Sequence, residues 1–187
     1  MSRVSILVTE RLVLRPAELP DLPWFHRVWT DPLIRRHLWQ GRVIGAEESA
    51  RTLETCITHG SLTGLGLWRI RLLSETPVGF FGFWPRADER KPDVFMGLLP
   101  EYWKRGYGLE TSRAAFGHIF ERGYADEVIC SVAGDNYASQ RMMRRAGMVF
   151  VNETGKPGAS TRFYRLDAQL LAAGMVPQPE PVSAILV

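Results

Sequence analysis

Two glycines, one residue apart, carry the first chemical signal in this sequence. They lie in Trp103-Lys104-Arg105-Gly106-Tyr107-Gly108-Leu109-Glu110, between an apolar run ending at Leu99 and a segment of helical spacing. A turn that feeds a helix directly exposes successive backbone N–H groups at the positive end of the helix dipole, where an anion is well served. Gly106 and Gly108 have no side chains to obstruct a pyrophosphate, and Lys104 and Arg105 could add charge at the rim. The third glycine of a dinucleotide fingerprint is absent, because Leu109, Glu110 and Thr111 follow Gly108; the Gly-Lys-Ser/Thr ending of a P-loop is absent too. Taken alone, the same residues also suit an ordinary turn.

Other reactive residue types give less. Cys56 and Cys130 share no metal-type spacing, so neither a zinc site nor a disulfide framework is expected, and no metal is assigned. His26, His37, His59 and His118 form no HxxxH or HxH pair, and each reads as a structural or surface residue.

The loop needs elements to hold it. Leu12 and Leu14 alternate with Arg11, Val13 and Arg15, which predicts a strand stopped by Pro16. Asp21 caps a predicted helix with Trp24, Phe25, Val28 and Trp29 at helical spacing. Residues 33–45 read as a short helix and a loop. Ala46 to His59 reads as a helix stopped by Gly60. Strands are expected over Leu65–Leu73, Val78–Trp84 and Asp93–Leu99, the last two joined by a charged, proline-bounded loop. Gly108 to Arg122 is an amphipathic helix, with Leu109, Ser112, Phe116 and Ile119 on one side and Gly123 closing it. Glu127–Val132 is a strand, Asp135-Asn136 opens another helix closed by Gly147, and Met148–Val151 and Arg162–Leu166 are late strands joined by a Gly/Pro-rich connection. The alternation argues for one α/β (α+β) layered domain over residues 1–175, with a proline-containing tail over 176–187.

Bulk composition agrees with a single domain. The chain has 187 residues, 45% hydrophobic and 23% charged, so it can bury a substantial core. A formal net charge of +3 lacks the concentrated charge of a nucleic-acid-binding tail, and no nucleic-acid partner is expected. No segment approaches the ~20 apolar residues of a membrane span, and the expected location is the cytoplasm.

Four segments, in order, resemble the GNAT superfamily of N-acetyltransferases, and within it the branch of ribosomal-protein N-terminal acetyltransferases (RimJ/RimL-like). They are TERLVLRP (9–16), GLWRIRLLSETPVGFFGFW (66–84), DVFMGLLPEYWKRGYGLE (93–110) and DNYASQRMMRRAGMVF (135–150). The resemblance spans about residues 9–167. It departs from the superfamily pattern at Trp103, where a polar residue usually begins the loop. It departs from the branch at Asp93, usually glutamate, and at Phe95, usually glycine.

The resemblance implies a mixed, mostly antiparallel twisted sheet with helices on both faces and two splayed middle strands, here 93–99 and 127–132. It implies acetyl-CoA as acetyl donor and an amine acceptor, a small molecule or a protein N-terminus. Backbone around Leu98 and Leu99 would pair with the pantetheine arm. The amides of Arg105, Gly106, Tyr107, Gly108 and Leu109 would hold the pyrophosphate, with Lys104 at the rim. Asn136 would bond the arm from the other side, and Arg141, Arg144 and Arg145 either meet the ribose phosphate or form a solvated face.

Ser139, the serine of the NxxS motif, is the first candidate to protonate the leaving thiolate; the other reading is helix capping. Tyr137 is the second candidate. Asp93 is the candidate general base, or a solvated strand-end carboxylate, and Glu101 is another. Glu110 in a first helical turn needs only the dipole to explain it. Trp39, Phe83 and Trp84 form an acceptor pocket or pack in the core. A non-catalytic acyl-CoA-binding sensor on the same fold and an unrelated nucleotide-binding domain are the competing readings, and the protein is a monomer or a homodimer.

Overall fold

A computed structural model describes residues 4–84, 90–156 and 158–173. Eight strands form one sheet: β1 (Leu7–Val8), β2 (Leu12–Pro16), β3 (Leu67–Leu72), β4 (Pro77–Trp84), β5 (Asp93–Leu98), β6 (Glu127–Ala133), β7 (Val149–Lys156) and β8 (Ala159–Asp167). Their order is β1-β2-β3-β4-β5-β6-β8-β7. Every neighbouring pair is antiparallel except β5 and β6. The helices are α1 (Leu22–Thr30), α2 (Pro32–Arg35), α3 (Ala46–Thr63), α4 (Tyr107–Glu121), α5 (Tyr137–Arg145) and α6 (Ala168–Ala172).

Alternation along β4 distributes its aromatics to two cores. Phe81 and Phe83 join Leu14, Trp68, Phe116 and Tyr164 beneath α4 and α5. Phe80 joins Phe25, Trp29, Leu53 and Phe95 beneath α1 and α3. With apolar side chains buried on both faces, β4 reads as an unbroken hydrophobic run.

Three expectations about elements change. Helix α3 continues through Gly60 to Thr63, with Gly64 behind it. Gly60 is there for close packing, since a Cβ would lie 2.6 Å from the Cα of Gly66. The connection expected after Val151 is strand: β7 and β8 pair from Val149↔Arg165 to Lys156↔Ala159. The short helix α6 was not anticipated; the Asp167 carboxylate caps it by accepting from the Leu170 amide at 2.8 Å. The proposed tail, 176–187, lies outside the described residues.

Candidate active site

The parallel junction between β5 and β6 makes the site. The two strands share one register pair, Asp93↔Ile129, and then diverge. Three contacts close the narrow end. Ile129 N–H donates to the Pro92 carbonyl at 2.9 Å. The Asp93 carboxylate accepts from Ser131 N–H at 3.1 Å and Ser131 Oγ at 2.6 Å. Arg90 pairs with Asp126. Beyond Asp93 the strands open into a cleft of about 810 Å³, within the range of small-ligand sites.

One wall is β5. Alternation turns the backbone groups of Met96 and Leu98 away from β4 and toward the gap. The Leu98 carbonyl accepts from the Trp103 indole N–H at 2.7 Å. The usual polar residue of the loop is thus replaced by an aromatic one that still donates a hydrogen bond. Leu99 turns the other way. Its N–H donates to the Val78 carbonyl at 2.8 Å and its carbonyl accepts from Tyr102 N–H at 2.9 Å, so it has no backbone group to offer an arm. Met96 and Leu98, not Leu99, have their backbone groups on the gap side.

The floor is the loop and the start of α4. Gly106 is the N-cap, at φ 83°, with no side chain to cap the helix. The first bond back to it comes from Glu110 N–H at 3.1 Å, which leaves the amides of Tyr107, Gly108 and Leu109 facing an open helix start. A Cβ on Gly108 would fall 2.5 Å from the Met142 sulfur, so glycine lets α4 approach α5.

A clasp holds the loop from outside. Arg11 Nη1 donates to the Arg105 carbonyl at 3.0 Å, and the guanidinium lies over the Tyr107 ring at 4.7 Å. Glu110 accepts from Thr9 Oγ1 at 2.6 Å, Arg11 N–H at 3.0 Å and Arg11 Nε at 2.8 Å. Burial pushes the Glu110 carboxyl up, but the Thr9 and Arg11 hydrogen bonds outweigh it and hold the group below its ordinary value. The Thr-Glu-Arg start of the resembling segment and Glu110 therefore form one device. Its halves are about a hundred residues apart, and no local pattern announced it.

The second wall comes from β6 and α5. Asn136 caps α5: its side-chain oxygen accepts from Ser139 N–H at 3.2 Å. Ser139 is the capped residue and not the cap, and it lines the cleft with Asn136, Arg141 and Arg145. The third wall, α2 and the turn after it, brings Leu33, Ile34, His37 and Leu38.

The remaining candidates lie elsewhere. Asp93 does not line the cleft; its carboxylate is engaged by Ser131 at the narrow end, which argues against a free base there. Tyr137 is 71% exposed and also outside the lining. Lys104 lines the cleft, whereas Arg105 contributes through its clasped carbonyl. Phe83 is in the α4-side core, T-shaped against Trp68 and Phe81, and cannot meet an acceptor. Trp39 and Trp84 stack around Phe95, with ring centroids 5.5 and 5.7 Å from it, and Phe95 alone of these three reaches the cleft. The bulk at position 95 is thus a wall backed by two tryptophans.

A family model described as an acetyltransferase (GNAT) domain matches residues 11–149. The chain belongs to the GNAT acetyltransferase family. The fold is shared with solved members. An acetyltransferase from Bacillus anthracis superposes with a TM-score of 0.73 at 19% identity, covering 88% of this chain and 99% of that one. A RimL ribosomal L7/L12 α-N-protein acetyltransferase in complex with coenzyme A gives 0.74 at 19%, covering 87% and 98%. Spermidine N-acetyltransferase from Vibrio cholerae, in complex with coenzyme A and spermine, gives 0.73 at 14%, covering 88% and 99%. Among the described residues, no group of three His, Cys, Asp or Glu could hold a metal ion, and no helix is long and apolar enough to cross a membrane.

Proposed function

We propose that this GNAT member is an N-acetyltransferase that moves the acetyl group of acetyl-CoA directly to a primary amine. The observation that carries the reading is the opening of β5 from β6 onto the uncapped start of α4, with the loop clasped by Arg11 and Glu110. The lining fits the donor: a slot edged by strand backbone suits an extended arm, and amides with Lys104, Arg141 and Arg145 suit phosphates. Bound acetyl-CoA supplies a thioester. The chain orients it through Met96 and Leu98 backbone, and a Leu98 N–H aimed into the gap would stabilise charge growing on the carbonyl oxygen. Asn136 keeps its amide N–H groups for the arm. Ser139, freed from capping, is placed to return a proton to the departing sulfur.

The acceptor side favours a single amine on an apolar or neutral body. Leu33, Ile34, Leu38, Val94 and Phe95 line it, and among the described residues the cleft has no carboxylate to pair with a polyamine.

Calorimetric titration with acetyl-CoA, beside ATP and NAD, tests the donor site. Wild type should bind acetyl-CoA selectively, and Gly106→Trp should lose that binding, because Gly106 occupies a left-handed conformation and a side chain there runs into the Arg11 guanidinium that clasps the loop. A thiol-release panel of short peptides against spermine then tests the acceptor. Binding without any turnover would instead support a non-catalytic acyl-CoA sensor.

A further inference from the structure

Direct transfer requires a group that takes a proton from the incoming ammonium, and neither Asp93 nor Glu101 lines the cleft. The titratable side chains that do line it, among the described residues, are His37, Tyr102, Lys104, Tyr107, Cys130, Arg141 and Arg145. Phenols, alkylamines and guanidiniums keep their protons at neutral pH as residue types. Cys130 is 5% exposed, and burial together with the nearby Asp93 charge pushes its thiol well above the ordinary value. Imidazole is the remaining chemistry, and it is the side chain suited to proton exchange near neutrality.

His37 is also held in a suitable way. It follows Ile34 by one helical turn, on the wall that meets β5 at Gly97, where a Cβ would come 3.2 Å from the Ile34 side chain. Its Nδ1 stands 3.6 Å from Asp135 Oδ1, an ion-pair distance that spans from the α2 turn to the start of α5. Asp135 is in turn 3.5 Å from Arg36. A carboxylate facing Nδ1 favours the tautomer protonated there and leaves Nε2 to accept.

We propose that His37, oriented by Asp135, is the general base for the acceptor amine. The assignment rests on the acetyl-transfer reading. The amine nitrogen forms a C–N bond to the acetyl carbonyl carbon as the C–S bond breaks. His37 Nε2 takes the first proton from the incoming ammonium and later releases it to solvent. The nitrogen's second proton, lost as the amide forms, is passed to Ser139 or water as that group gives its own proton to the leaving sulfur. Asp135 stabilises the imidazolium; among the described residues, Asp135, just before α5, is the charged group paired with this imidazole, and Arg36, from the same turn as His37, pairs with that carboxylate.

The test compares wild type, His37→Gln and Asp135→Asn by acetyl-CoA titration and by steady-state turnover between neutral and alkaline pH. His37→Gln should bind acetyl-CoA as wild type does and lose about a hundredfold in kcat/KM for the amine at neutral pH. That deficit should shrink as the pH rises and the acceptor deprotonates unaided. Asp135→Asn should show a smaller loss with the same pH trend. Full activity of His37→Gln at neutral pH, or a deficit equal at every pH, overturns the assignment while acetyl transfer stands. Wild type that neither binds acetyl-CoA nor releases thiol overturns acetyl transfer itself.

Discussion

The two sides of the cleft that we assign to donor and acceptor are built by opposite means. Most of the donor side is one stretch, Met96 to Leu109, that presents mainly backbone, joined by side chains of Asn136, Arg141 and Arg145 from the start of α5 onward. The acceptor side is assembled from side chains at Leu33–Leu38 and Val94–Phe95, with tryptophans behind Phe95. A site made of backbone must fix the residues that leave room for it, so glycine and spacing mark it in the sequence. A site made of side chains leaves local patterning unconstrained, because each member is also a plausible core or surface residue.

Mutations can separate the two sides. Phe95→Ala should have the largest effect. It removes a ring packed against Trp29, Trp39, Phe80 and Trp84, and should cost about 3–5 kcal/mol of stability in chemical denaturation. Acetyl-CoA affinity of the molecules that remain folded should be unchanged; a parallel loss would mean that the two sides are not independent. Ser139→Ala should lower kcat by about a hundredfold with little change in melting temperature, since Asn136 caps α5 through the Ser139 amide and not its hydroxyl. Exposed Tyr137→Phe is the matched control, and a comparable kcat loss there would exchange their roles. Arg11→Met should raise the KM for acetyl-CoA about tenfold and leave the KM for the amine alone, because Arg11 holds the Arg105–Tyr107 turn from outside the cleft. Equal shifts in both constants would show that the clasp shapes the whole cleft.

The same contrast governs what the sequence made legible. The strand–turn–helix unit around Gly106 could be read because its requirements are local. The alternation at Trp68, Ile70 and Leu72 placed β3 for the same reason. Most of β7 escaped because residues 152–156 are exposed and polar or small, so pairing with β8 and not one-sided burial defines the strand. The Asp93–Ser131 bond, the Arg11–Glu110 clasp and the His37–Asp135 pair join positions far apart in the chain, and nothing at either end predicts its partner. Phe83 was left open between pocket and core because an aromatic at a strand end looks alike in either place, and it packs in the core.

The opening between β5 and β6 also bears on cooperativity. Among the described residues, the sheet is two antiparallel ladders, β1–β5 and β6–β8, joined directly at the narrow end of the cleft by the segments around Arg90–Asp93 and Asp126–Ser131. Beyond Asp93 and Ile129 the two strands share no further register pair among those residues. An extended ligand that pairs with both edges acts as an added strand and couples the ladders into one unit. Its binding free energy then favours the joined state over local opening of the seam, so occupancy governs how the two halves of the molecule fluctuate together.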